Sequence, residues 1–212
     1  MDEGYWAAVQ AMRLTVADLL EDLAPSEWER PSLCAGWRVR DVAGHLSLVP
    51  TITTWEMVRA APRGGFNPHR INTLLARRYG DRPPDAIVAR IREHAGRQGT
   101  ARVLDVRDSL FDVVVHSQDI ALPLGRAVEV PVASARAGLD RVWEMGWPFH
   151  AERRLAGRLL RATDTDWERG EGPVVEGTAL ALLLLLTGRN ETAVPMLAGP
   201  GVTSLSAPRP SR

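Results

Sequence analysis

His45, Asp112 and His116 are the residues of this chain best suited to chemistry. Asp112 and His116 stand four positions apart, and His45 lies far upstream. On a helix, four residues rise about 6 Å, so the carboxylate and the imidazole can lean toward one point. His45 must then come from a neighbouring element, at the roughly 8–10 Å spacing of packed helices. Converging, the three would bind a divalent metal on one face and leave positions open for water or a thiol, as catalytic zinc sites do. Two nitrogens and one carboxylate oxygen suit zinc best, with iron or nickel as alternatives. Asp119, three residues beyond His116, has two readings. It could accept a hydrogen bond from the far ring nitrogen of a ligating histidine and fix its tautomer, or ligate itself and close the site. Taken by itself, a D-x-x-x-H pair reads equally as a surface ion pair or a capped polar group. His69, His94 and His150 have no partner at useful spacing and read as ordinary surface residues.

Helices must position these groups. Val9, Met12, Val16, Leu19, Leu20 and Leu23 recur at helical spacing and predict an amphipathic helix over residues 5–24. A second helix is expected from Trp37 through Val39, Val42, Leu46 and Val49, bent or broken at Pro50. Asn67-Pro68 reads as an N-cap and first-turn proline opening a helix to Gly80, and Pro83-Pro84-Asp85 opens another. Between Asp105 and Leu122 the run Val113-Val114-Val115 suits strand or helix. Both periods keep Asp112 and His116 on one side, whereas Asp119 joins them only on a helix. Length and flanking polar residues favour the helix. Another helix is expected over 132–146. Beyond Pro148, strands are expected over 158–163 and around Val174-Val175, then a buried helix from Thr178 to Leu186 that ends near Gly188. The fold class is mainly α: a helical bundle over residues 1–150, a small α+β region over 151–205, and a frayed tail at 206–212.

Bulk composition narrows the function. Zero formal net charge and a pI near 7.0 leave no electrostatic footprint for nucleic acid or an anionic membrane. All 26 basic residues are arginine, which fits a GC-rich genome, although Arg also suits carboxylate ligands. Cys34 is the single cysteine, so no internal disulfide or cysteine-rich zinc site can form. The acidic start MDEGYWAAVQ has no apolar signal core, and the apolar run 178–187 is about half a membrane span. The expectation is a soluble cytoplasmic protein acting on small molecules, without nucleic acid or membrane. Cys34 could be a reactive thiol beside a helix start, but a small buried thiol is the commoner outcome. Trp37 could wall a pocket beside His45, whereas Trp6, Trp28, Trp55, Trp143 and Trp147 sit at packing positions. Arg189 follows a helix-ending glycine and reads as a cap or as a contact to a ligand carboxylate.

Three stretches carry a family resemblance. Cys34-Ala-Gly-Trp-Arg-Val-Arg-Asp-Val-Ala-Gly-His45-Leu resembles the first metal-histidine motif of the mycothiol-dependent maleylpyruvate isomerase family, within the DinB/YfiT-like metalloenzyme bundles. Phe111-Asp-Val-Val-Val-His116-Ser-Gln-Asp-Ile resembles the second motif, and the segments 161–170 and 186–189 resemble the C-terminal portion. The resemblance implies a DinB-like four-helix bundle, His45, Asp112 and His116 as ligands of a metal that is usually zinc, and mycothiol as thiol cosubstrate. It implies a thiol-dependent isomerase or thiol S-transferase acting on a small electrophile. A metal-assisted hydrolase and a non-catalytic metal-binding bundle are the alternatives. Two departures stand out. Asp112 stands where the isomerase of that family has glutamate, so the metal would sit closer to its helix or be held less tightly. Arg38 replaces a Ser or Thr cap, at a cost of about 1 kcal/mol. No motif identifies a substrate-binding arginine.

Overall fold

The computed structural model describes residues 3–101 and 103–205. The tail expected at 206–212 lies outside them. The chain is mainly helical, as expected, and forms two compact units that divide between Glu129 and Val130.

Among the described residues, the first unit carries seven α-helices: α1 (Glu3–Glu21), α2 (Pro25–Trp28), α3 (Val39–Leu48), α4 (Thr54–Ala60), α5 (Pro68–Gly80), α6 (Pro84–Glu93) and α7 (Ser109–Ala121). Helices α1, α6, α3 and α7 close a ring in which each packs on two neighbours, giving a four-helix arrangement. α1 turns one stripe inward, Val9, Met12, Val16 and Leu20. α7 is buried nearly all round, so its valine run sits in apolar surroundings while the helix satisfies its own backbone. The strand reading of this segment is thereby excluded. α4 was not among the expected elements. It is opened by a reciprocal box in which Thr53 accepts from the Glu56 N–H and Glu56 accepts from the Thr53 N–H. Met57 and Ala60 of α4 pack on Leu48, Ile52, Leu75 and Tyr79.

α5 lies against the outer side of α3, and two glycines set their approach. A Cβ on Gly44 would fall 2.2 Å from the Gly80 backbone nitrogen, and one on Gly80 would fall 2.6 Å from the Arg40 carbonyl oxygen. The backbones touch there, one residue before His45. At the start of α3, Arg38 has no side-chain oxygen with which to cap. Asp41 reaches back instead to accept from the Arg38 backbone N–H at 2.9 Å, so one half of the missing cap is supplied from inside the helix.

The second unit contains α8 (Val132–Glu144), α9 (Ala151–Arg154), β1 (Leu159–Ala162), β2 (Glu168–Gly170), β3 (Val174–Gly177), α10 (Ala179–Leu186) and α11 (Asn190–Ala193). The sheet order is β2-β1-β3, with Leu160 opposite Arg169 in the antiparallel pair and opposite Val175 in the parallel one. Leu182, Leu183, Leu184, Leu185 and Leu186 of α10 are fully buried, and Thr178 caps the helix by accepting from the Ala181 N–H. The amphipathic stripe of α8 reads like that of a bundle helix, yet it packs on α10. The unit boundary consequently falls at 129/130 and not at 150.

The Gly44–Gly80 contact gives a stability prediction. Gly44→Ala must push two backbones apart and should destabilise the chain by about 1–3 kcal/mol, read as a lower urea midpoint. An unchanged midpoint would show that α3 and α5 do not meet there.

Candidate metal centre

His45 projects from the last turns of α3, and Asp112 and His116 project from α7, which packs beside it in the ring. His45 Nε2 lies 3.4 Å from Asp112 Oδ1, and His116 Nε2 lies 3.5 Å from the same oxygen. All three ligand atoms fall within 4.8 Å of one another. Ligands at roughly 2.0–2.2 Å around a tetrahedral zinc stand about 3.3–3.6 Å apart. Both separations from Asp112 Oδ1 fall in that range. The side chains of His45, Asp112 and His116 keep 10%, 23% and 14% of their surface exposed, so protein does not seal the group on every side.

Each imidazole is held at its far nitrogen. His45 Nδ1 lies 3.2 Å from Asn72 Oδ1 on α5, and His116 Nδ1 lies 2.8 Å from Asp119 Oδ2. With those nitrogens donating, each Nε2 lone pair is free to face the centre. Trp37, in the loop before α3, stacks on His116 at 6.4 Å between ring centres with 12° between planes, and tilts over His45 at 5.7 Å. Its indole N–H donates to Thr73 Oγ1 at 3.2 Å, so two successive residues of α5 fasten the two sides of the site.

A second group, Cys34, His116 and Asp119, also offers three ligand atoms in close range. Its spacing differs. Asp119 Oδ2 lies 2.8 Å from His116 Nδ1 and 3.0 Å from Cys34 Sγ, separations that suit a shared proton better than an ion between the atoms. Asp119 is thus placed beyond His116, on the side away from the His45–Asp112 pair.

Electrostatics favours charge at the centre. Burial opposes an ionised Asp112, but His45 and His116 outweigh it and hold the carboxyl far below the usual carboxylate range. Burial likewise opposes an imidazolium at His116, but Cys34, Asp112 and Asp119 outweigh it and raise His116 well above its ordinary value. Arg13, only 4% exposed on α1, donates through Nη1 to the Ala95 and Arg97 carbonyls. Burial lowers its pKa, and the field of Asp112 partly offsets this.

The three ligand candidates read from the sequence are thus brought together, and Asp119 stands beside the outer nitrogen of His116. Trp37 reaches the site from a loop, because α3 begins at Val39. Cys34 is not an isolated buried thiol: it is half-buried and hydrogen-bonded to Asp119. Trp55 and Trp147 are 65% and 59% exposed. Arg189 caps α10, its Nη1 donating to the Thr187 carbonyl. His69 is exposed, while His94 and His150 are half-buried, and none joins the site. Asn72, Thr73 and Arg13 carried no spacing signal toward His45 or Asp112.

Residues 9–101 match the family model of the mycothiol maleylpyruvate isomerase N-terminal domain. The chain also has the fold of the crystal structure of the mycothiol-dependent maleylpyruvate isomerase, at a TM-score of 0.63 and 14% identity over 99% of this chain and 96% of that one. A histidine-to-alanine variant of that enzyme aligns equally, with the same score and coverage. No curated protein sequence matches the chain.

Two outcomes are expected. Purified protein should carry close to one equivalent of divalent metal, and His116→Ala should lose it; equal metal content in the variant would remove the site. In the metal-free protein, the favourable contribution of a raised His116 is complete below the unfolded imidazole value of about 6.5 and is lost as pH rises through the higher folded value. That of a depressed Asp112 is present above about 3.9 and lost as pH falls through the lower folded value. Metal requires neutral His116, so loading at pH 7 should release a proton. Titration calorimetry in two buffers of different ionisation enthalpy should give different apparent heats; identical heats would contradict the raised His116.

Proposed function

We propose, from the match of residues 9–101 to the family model of the mycothiol maleylpyruvate isomerase N-terminal domain, that this chain is an enzyme that uses a low-molecular-weight thiol at a divalent-metal site. Mycothiol is the thiol that the kinship favours, and isomerisation of a small electrophilic cis-alkene is the reaction. The observation that carries the reading is the spacing of His45, Asp112 and His116 around one point, with part of each side chain still open to solvent.

In this reading His45 and His116 hold the metal through Nε2, and Asp112 holds it through Oδ1. Zinc suits the donor set best and, when bound, supplies Lewis acidity that lowers the pKa of a thiol at an open position. Asn72 and Asp119 keep both imidazoles in the tautomer that leaves Nε2 free. The Trp37 ring covers the imidazole faces and shields that flank from water. The thiol sulfur adds to one alkene carbon, and the π electrons move onto the conjugated activating group. The former double bond then rotates as a single bond. Elimination expels the sulfur, restores the alkene as the trans isomer and regenerates the thiol. No atom is gained or lost overall. Cytoplasmic residence accords with a thiol cosubstrate, and no helix among the described residues is long and apolar enough to cross a membrane.

Incubating metal-loaded protein with mycothiol and a panel of conjugated cis-alkenoic acids should yield a product of unchanged mass and full recovery of thiol, read by mass spectrometry. His45→Ala should abolish it. A stable thiol adduct would make the protein an S-transferase, a gain of water without thiol would make it a hydrolase, and no turnover with any thiol would refute the reading.

A further inference from the structure

We propose that Cys34 is a positioning residue of the metal centre, acting through Asp119 to hold His116 in its ligating orientation. This rests on His116 being a metal ligand. The thiol of Cys34 donates to Asp119 Oδ2 at 3.0 Å, and the same oxygen accepts from His116 Nδ1 at 2.8 Å. Two donors converging on one carboxylate oxygen fix the direction of its lone pairs and the plane of the group. Asp119 is 0% exposed, so water does not take over that task if a donor is lost.

The loop that brings Cys34 is built to keep the thiol there. Leu33 donates its backbone N–H to the Asp119 carbonyl at 3.1 Å, so Asp119 is gripped at backbone and side chain by neighbouring residues. The Cys34 N–H donates to Ser32 Oγ at 3.1 Å, and its carbonyl accepts the Trp37 N–H at 2.9 Å. Gly36 makes that turn with φ of 75°, a conformation glycine adopts without a steric penalty. Its carbonyl accepts from Arg77 of α5 at 3.0 Å, and the Trp37 indole bonds Thr73 of the same helix. One loop thus spans from α5 to α7 and touches His116 on two sides, with the thiol at its edge and the indole on its face.

The same three atoms could be read as a second, thiolate-bearing metal site. The contraction to 2.8 and 3.0 Å argues for protons between them, and the 3.4 and 3.5 Å spacing at the other triad argues for an ion there. In the hydrogen-bonded arrangement, a side chain that donates toward Asp119 is required at position 34, and sulfur as such is not.

The test is metal affinity of the full chain, measured by chelator competition with zinc, for Cys34→Ala, Cys34→Val and Cys34→Ser. Ala and Val should each weaken zinc binding about tenfold, the lower end of outer-partner effects, while Ser should stay within about threefold of the wild type. Val fills the space without donating, so wild-type affinity in Cys34→Val would overturn the proposal. Combined with Asp119→Asn, Cys34→Ala should add no further loss; additive losses would show that Cys34 does not act through Asp119. The cobalt-loaded wild type should lack a sulfur-to-metal charge-transfer band, and its presence would favour thiolate ligation instead. Retention of zinc by His116→Ala would refute the metal-site reading itself, an outcome distinct from the failure of Cys34. Urea midpoints of the metal-free variants separate a lost orientation from a lost fold; if either apolar variant unfolds, Cys34→Ser against Asp119→Asn still decides, with Ser expected near wild type and Asn weakened.

Discussion

Carboxylates buried inside a helical bundle are tolerated only where opposite charge or hydrogen-bond donors meet them, and that constraint organises the first unit of this chain. Asp112 lies between two imidazoles, and Asp119, with no exposed surface, lies against the outer nitrogen of one of them. Removing either imidazole would leave a charge in surroundings that oppose it. The surrounding polar groups therefore belong to the folding of the bundle as much as to any chemistry at its centre.

Two kinds of element share the work. The ring helices α3 and α7 carry His45, Asp112 and His116, whereas α5 and the loop over residues 32–37 fix how those side chains face. α5 can do this because Gly44 and Gly80 let its backbone meet α3 directly, placing Asn72 and Thr73 where they reach His45 and Trp37. A network at the opening of α3 reinforces the placement. Arg38 binds Asp41, Asp81 and Glu29, and Arg40 binds Glu29 and donates to the Gly80 carbonyl at 2.6 Å. The exposed pairs in that network contribute little stability individually.

What could be read from the sequence follows from locality. Asp112, His116 and Asp119 are related by helical spacing alone, so their common face is legible without knowing what they pack against. His45 joined them through a family resemblance, because no local rule links α3 to α7. Asn72, Thr73 and the role of Cys34 are tertiary facts, visible only once α5 and the 32–37 loop are docked. α4 is a different case: its Thr53–Glu56 box is a capping signal written in the sequence itself. β2 offered no signal, since Glu168, Arg169 and Gly170 are all exposed and show no alternation. The unit boundary was hidden because an amphipathic stripe does not reveal which apolar partner it meets, and α8 meets α10.

Position 112 ties side-chain length to helix spacing. An aspartate is one methylene shorter than a glutamate and keeps its oxygens close to α7, so a group on another helix reaches them only where that helix packs closely. Asp112 Oδ1 stands 3.4 Å from His45 Nε2 across the helix interface and 3.5 Å from His116 Nε2 on its own helix. The near equality means that neither imidazole is favoured, and each separation falls within the range that two ligands of one tetrahedral ion require. A glutamate at 112 would crowd the space between the imidazoles unless α3 moved, so side-chain length and helix spacing act as one variable in this bundle.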